Sequence, residues 1–256
     1  MTTRRKYINS VQNPYQDELD SGFPVGVWAD CPLEAIQADP ALGYIFFEDW
    51  TNWTGAVPTG TTLTNWTATA ATSGTVIIPD SAGGYLDLEG GSTAAQGIQI
   101  QRNDEVFKCA VDKTLWFECE FAIHGTVTAE IFAGLSNTDT AILSGSANAS
   151  TDHIGWQSVT DDGVLLFSAE KATAGATKAS ATLTAWAAPT RLGFKVSNAT
   201  ATTLKIEHWT NGAKQTTSHV NANVSVTELT PSFVCQGGGG STPKMHLDWV
   251  RVVQLR

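Results

Sequence analysis

The stretch Met245-His246-Leu247-Asp248-Trp249-Val250-Arg251-Val252-Val253-Gln254 decides the fold. It is rich in β-branched and aromatic residues and uninterrupted by Gly or Pro, which is the composition of a long strand. A second run, Gly43-Tyr44-Ile45-Phe46-Phe47-Glu48-Asp49-Trp50, mirrors it near the other end. Working outward from these two, short runs of period two punctuated by Gly, Asn and Asp fill the interval, among them 97–101, 115–123, 129–135, 153–159, 164–171, 191–196 and 204–209. Such spacing predicts one all-β body, a jelly-roll β-sandwich of two antiparallel sheets. No sequence repeat at a fixed period argues for a propeller or solenoid.

Two hairpins can be read in detail. Leu204-Lys205-Ile206-Glu207-His208-Trp209 alternates apolar and polar residues, and Asn211-Gly212 supplies the positive φ angles of a type I′ turn before the chain returns from Ala213. His153 to Gln157 turns through Asp161-Asp162-Gly163 into Val164-Leu165-Leu166-Phe167. The Ala-rich segment 171–181, interleaved with Thr, Gly and Ser, reads as a loop, and 224–229 and 232–235 read as two separate strands.

Residues 1–42 form a different region from the sandwich body at 43–256. Pro14, Pro24, Pro32 and Pro40 leave room for no helix beyond a short turn at Leu33-Glu34-Ala35-Ile36. Yet Tyr7, Tyr15, Phe23, Val25 and Trp28 are spread through this arm, and a purely disordered tail is depleted of such residues. An extended arm lying on a surface, either its own sandwich or a neighbouring subunit, is the expectation.

The 256-residue chain carries a formal net charge of −10. That excludes general nucleic-acid binding, which needs clustered Lys and Arg, and the only basic cluster is Arg4-Arg5-Lys6. No apolar core follows these charges as in a secretory signal, and no run of about 18 apolar residues could cross a membrane as a helix, so synthesis in a cytoplasm is expected. Cys31, Cys109, Cys119 and Cys235 lack metal-ligand spacing; Cys109 and Cys119 could face each other across a hairpin, with free buried thiols the favoured state.

Phe46-Phe47-Glu48-Asp49-Trp50, Leu115-Trp116-Phe117-Glu118-Cys119-Glu120-Phe121, Arg191-Leu192-Gly193-Phe194-Lys195-Val196 and Leu247-Asp248-Trp249-Val250-Arg251-Val252 together resemble the concanavalin A-like lectin/glucanase superfamily. With the Pro-containing arm and the Thr/Ala/Gly-rich body, the chain is similar to virion structural proteins of tailed bacteriophages that carry this jelly roll. The resemblance implies two curved sheets stacked face to face, with the first and last strands adjacent.

Any enzyme hypothesis rests on Glu118 and Glu120. Residues i and i+2 share one strand face about 6.5–7 Å apart, from which side chains can approach the roughly 5–5.5 Å separation of a retaining glycosidase. Glucanases of the superfamily place three acids at alternate positions of such a strand, and here Ala122 stands where the third belongs. An acid/base catalyst cannot be replaced by a methyl group, so no enzymatic activity is expected. The resemblance also implies a structural calcium near the terminal strands, for which Asp49 and Asp248 are comparably placed. Two acids make an incomplete shell, and neither a metal nor another cofactor is expected.

The resulting expectation is a virion protein on the capsid surface. It would be a decoration or cement protein that binds the major capsid protein or another virion protein through its arm and one sandwich face, and it would self-associate, as a trimer among other arrangements. The alternative is a lectin-like module for host glycans, with Trp53, Trp66, Trp186, Glu118 and Glu120 as glycan-facing residues. A degenerate glycoside hydrolase comes third.

Overall fold

The computed structural model describes residues 26–256 except 52–61, 64, 79–83, 95, 126–128, 141, 145–146, 149–151, 159–163, 172–173, 183–188, 201–202, 216–218, 222–223 and 238–241. Arm residues Tyr7, Tyr15, Phe23 and Val25, together with Trp53, Trp186 and the Asp161-Asp162-Gly163 turn, lie outside the described residues.

Two antiparallel sheets carry the body. The first contains β1 (Gly43–Glu48), β4 (Thr75–Ile77), β5 (Leu86–Glu89), β8 (Leu115–His124), β15 (Thr190–Asn198), β16 (Leu204–Thr210), β17 (Ala213–Lys214), β18 (His219–Asn221) and β20 (Lys244–Leu255). The second contains β2 (Thr62–Leu63), β3 (Trp66–Ala71), β6 (Gly97–Arg102), β7 (Phe107–Lys108), β9 (Glu130–Ser136), β12 (His153–Ser158), β13 (Val164–Lys171), β14 (Ala174–Thr182) and β19 (Glu228–Gln236). A small hairpin, β10 (Leu143–Ser144) with β11 (Ala147–Asn148), stands apart.

The terminal strands pair as expected, β1 against β20 from Gly43↔Leu255 to Glu48↔Val250. β20 is central, with β8 on one side and β1 and β5 sharing the other. Leu115, Phe117, Cys119, Phe121 and Ile123 of β8 point inward and join Phe194, Trp156, Phe167, Phe233 and Trp50 in one core between the sheets. The Asn211-Gly212 turn has φ angles of 50° and 77°, as a type I′ turn requires, and closes β16 onto β17. All four cysteines are free, Cys109 and Cys119 among the buried ones.

Three sequence expectations are corrected. Residues 174–182 form a strand on β13, not a loop: backbone pairing holds a segment whose small side chains give no hydrophobic period. Trp66 opens β3 and is fully buried, its ring 5.1 Å from that of Trp50, so it is a core residue rather than a glycan-facing one. The run ending at Cys235 is one strand through Pro231, which sits where β19 exchanges β7 for β6 as neighbour and so forfeits little ladder bonding.

Residues 26–42 are packed on the body. A turn at 27–30 leads to helix α1 (Leu33–Ala38), and Val27, Trp28 and Ile36 form a second apolar cluster with Trp116, Trp209 and Val253 on the outer face of the first sheet. Here the chain is turned and helical rather than extended.

Candidate functional site

Alternation along β8 places Trp116, Glu118, Glu120, Ala122 and His124 on the outer face of the first sheet. Glu118 lies opposite Gly193 of β15 and Arg251 of β20; Glu120 lies opposite Arg191 and Trp249. The two carboxylates therefore share a face, as the sequence indicates, but their surroundings differ.

Glu118 is closed off by the chain's own amino-terminal segment. It is 1% exposed, and the Trp28 indole N–H donates to its Oε2. Val27 reaches the same spot because position 193 is glycine; a Cβ there would lie 3.2 Å from Val27 Cγ1. The Arg251 guanidinium sits between the Trp28 and Phe47 rings, 5.4 and 5.2 Å from their centroids. Asp30 anchors the turn by accepting from Trp116 Nε1 at 3.0 Å and from Lys195. Burial pushes the Glu118 carboxyl up to about 7, outweighing the Trp28 hydrogen bond and the nearby arginines. Its expected exposure to a glycan is thus corrected: a segment 90 positions upstream covers it.

Glu120 is half-buried and pairs with Arg191 at 3.4 Å. It borders a cleft of about 410 Å³ lined by Tyr85, Phe121, Ala122, His124, Pro189, His246 and Asp248. Tyr85 stacks on His246 at 4.6 Å, and His124 lies 4.0 Å from His246. A β-bulge between Leu247 and Trp249 makes Asp248 the extra residue, so that it and Trp249 both lie between inward-facing Leu247 and Val250. Burial first, then the electrostatic influence of His124 and Lys244, lower the His246 pKa to about 4, so its 3.0 Å contact with Asp87 is made by a neutral imidazole. Burial, then the Asp49 charge, raise the Asp248 pKa. Among the described residues no group of three or more His, Cys, Asp or Glu is placed to hold a metal ion. Sequence reasoning missed Tyr85, His124 and His246 as neighbours of Glu120; the alternation of Ala122, His124 and His246 on adjacent strands was the available signal.

Part of the outer face of the second sheet is also covered. β9 and β12 are buried along their whole length, and residues 137–139 and Ile142 lie over β6, β9 and β19. Two glutamines of β6 tie them down. Gln99 donates to Asp139 O and accepts from Ile142 N; Gln101 donates to Asn137 O and accepts from Asp139 N. Ile142 then packs with Phe132 and Val234. Beside this cover a pocket of about 470 Å³ is lined by Thr67, Thr69, Gln101, Arg102, Asn103, Thr138, Asp139 and Thr140.

No family model matches the chain, and no curated protein matches it in sequence. Solved structures share its fold. An endo-1,3-β-glucanase from Streptomyces sioyaensis superposes with TM-score 0.59 at 11% identity, covering 82% of this chain and 95% of that one. An endo-acting O-glycanase from the human gut microbiota gives 0.54 at 11%, covering 82% and 99%. The carbohydrate recognition domain of Emp47p gives 0.53 at 10%, covering 84% and 97%. The body therefore shares the two-sheet jelly-roll β-sandwich fold of these proteins. At these identities the likeness carries the fold and not the chemistry.

Proposed function

We propose that this chain is a non-enzymatic binding and assembly protein of a virion, a decoration or cement protein that fastens to the capsid through residues 1–25 and the adjoining face of the first sheet. The observation that carries the non-enzymatic part is the Trp28–Glu118 contact: the best candidate for a reactive carboxylate is sealed by the chain's own backbone turn. Part of the outer face of the second sheet carries a cover of its own, pinned by Gln99 and Gln101. A glycosidase needs two carboxyl groups flanking space for a sugar, and Glu118 faces none. The virion setting is supported by the sequence resemblance and by the apolar residues spread through an arm that joins the body at Gly26 on a broad sheet face. The test is cosedimentation with capsids built from the accompanying major capsid protein. The full chain binds, and the chain lacking residues 1–25 stays folded but remains in the supernatant. Equal binding by both forms, or none by the full chain, refutes the reading.

A second reading, a glycan-binding module, is favoured by the Thr67–Thr140 pocket, whose hydroxyl and amide groups suit sugar hydroxyls, and by the carbohydrate-directed proteins that share the fold. Retention on a glycan array that is lost in a folded Asn103→Leu variant would select it over capsid binding.

A further inference from the structure

Residues 26–42 lie on the first sheet without joining it. Among the described residues their backbone hydrogen bonds run within the segment, from Ala29 N to Gly26 O through Ile36 N to Pro32 O and Leu42 N to Asp39 O, until Arg256 N donates to Leu42 O where the chain enters β1. Val27, Trp28 and Ile36 pack in a cluster of their own with Trp116, Trp209 and Val253, and none of the three belongs to the core between the sheets. Lifting this strap therefore breaks no strand pairing and leaves the sandwich core whole.

The strap covers a carboxyl that has charges on every side, each engaged elsewhere. On β15, Arg191 pairs with Glu120 and Lys195 with Asp30. On β20, Arg251 lies against the Trp28 and Phe47 rings. Glu120, next along the same face of β8, repels a charge at Glu118. The strap itself brings Asp30 and Cys31, whose thiol is pushed up to about 12 by burial and then by the Asp30 charge, and so stays neutral. The side-chain hydrogen bond that Glu118 accepts comes from Trp28 of the strap. With the strap down, an ionised Glu118 would be a buried charge without a counterion; with the strap up, it would stand in water.

We propose that residues 26–42 are a proton-operated latch, docked on the first sheet while Glu118 is protonated and opening as a unit, with the sandwich intact, when Glu118 gives up that proton. Burial is the largest influence on this carboxyl, lifting it from an ordinary 4.5 to about 7. Docking thus takes up a proton and opening releases one. The strap is held most tightly below the ordinary value, its opening constant climbs about tenfold per pH unit between the two values, and it levels off above about pH 7 at about 300 times its acid value. The latch requires no partner and no property of residues 1–25, so it can fail while the capsid reading stands, and the reverse.

The chain carries its own reporters: Cys31 lies in the strap, and Cys109, Cys119 and Cys235 are buried in the body. The test treats the full chain with a dipyridyl disulfide, which reacts with thiols in acid as well as in base, over a pH series, and reads each cysteine by peptide mass spectrometry. Dividing the Cys31 rate by that of Glu118→Gln at the same pH cancels the chemistry of the thiol, because the amide does not titrate. The ratio should be close to one near pH 4 and reach about 300 near pH 8, while the three body cysteines stay unlabelled. A flat ratio overturns the proposal. A ratio that falls as the pH rises also overturns it, by showing that ionised Glu118 holds the strap through Trp28 and Arg251. Labelling of the body cysteines in step with Cys31 does the same, since the sandwich would then be opening too. Should Glu118→Gln not fold, a peptide of residues 26–42 serves as the reference and the same rise is expected.

Discussion

Replacing Glu118 with Gln tests the covered-carboxylate account directly. Burial holds the Glu118 carboxyl up to about 7, against an ordinary value of 4.5. A carboxyl raised in this way favours the folded state while it keeps its proton. That contribution is whole below the ordinary value and is lost as the pH climbs through about 7. A gap of about 2.5 units at 1.36 kcal/mol each amounts to about 3 kcal/mol. Gln has the shape of the protonated acid, and its carbonyl accepts the Trp28 N–H. The variant should therefore match the wild type near pH 4 and exceed it near pH 8 by up to about 3 kcal/mol, or roughly 6–12 °C in Tm for a chain of this size. Thermal unfolding of both proteins in a common pH series measures the difference and cancels the titration of every other group. A pH-independent offset, or a variant less stable than wild type at pH 8, would show Glu118 to be ionised and held by Arg251, and the reasoning would fail.

Trp28→Ala should cost about 3–5 kcal/mol in denaturant unfolding, because it removes a fully packed indole and strips the partner from a buried carboxyl. A change under about 1 kcal/mol would show that the turn is not part of the folded unit. Gln101→Leu leaves Asn137 O and Asp139 N without their side-chain partner, so hydrogen exchange at Asp139 should quicken and stability fall by about 1–3 kcal/mol. Unchanged exchange there would mean the loop is held by other contacts.

Much of the fold is legible in the sequence where side-chain contrast is strong. The inward row of β8 and the Asn211-Gly212 turn follow from alternation and turn chemistry, while the pairing of β1 with β20 was implied by the family resemblance. β3 and β14 escaped because Trp-Thr-Ala-Thr-Ala-Ala and Ala-Gly-Ala-Thr-Lys-Ala-Ser-Ala-Thr alternate between residues of similar polarity; their place comes from backbone bonds to β6 and β13. Of the candidate site, the shared face of Glu118 and Glu120 was legible, since a strand dictates it. The cover by Trp28 was not, because a contact between a turn and a strand 90 positions away leaves no periodic trace. The meeting of Tyr85, His124, His246 and Asp248 depends on strand register and on a bulge, neither of which local pattern specifies.

The central position of β20 governs how the chain comes off the ribosome. Until Lys244–Leu255 emerges, β8 on one side and β1 and β5 on the other have no common partner, and Gly43 must wait for Leu255. The first sheet is completed only once its last strand has been made, so until then the inward faces around Phe117 and Phe194 stay open to chaperones, or to one another in neighbouring polypeptides. A nonsense mutation shortly before Lys244 would therefore yield insoluble material rather than a serviceable smaller body.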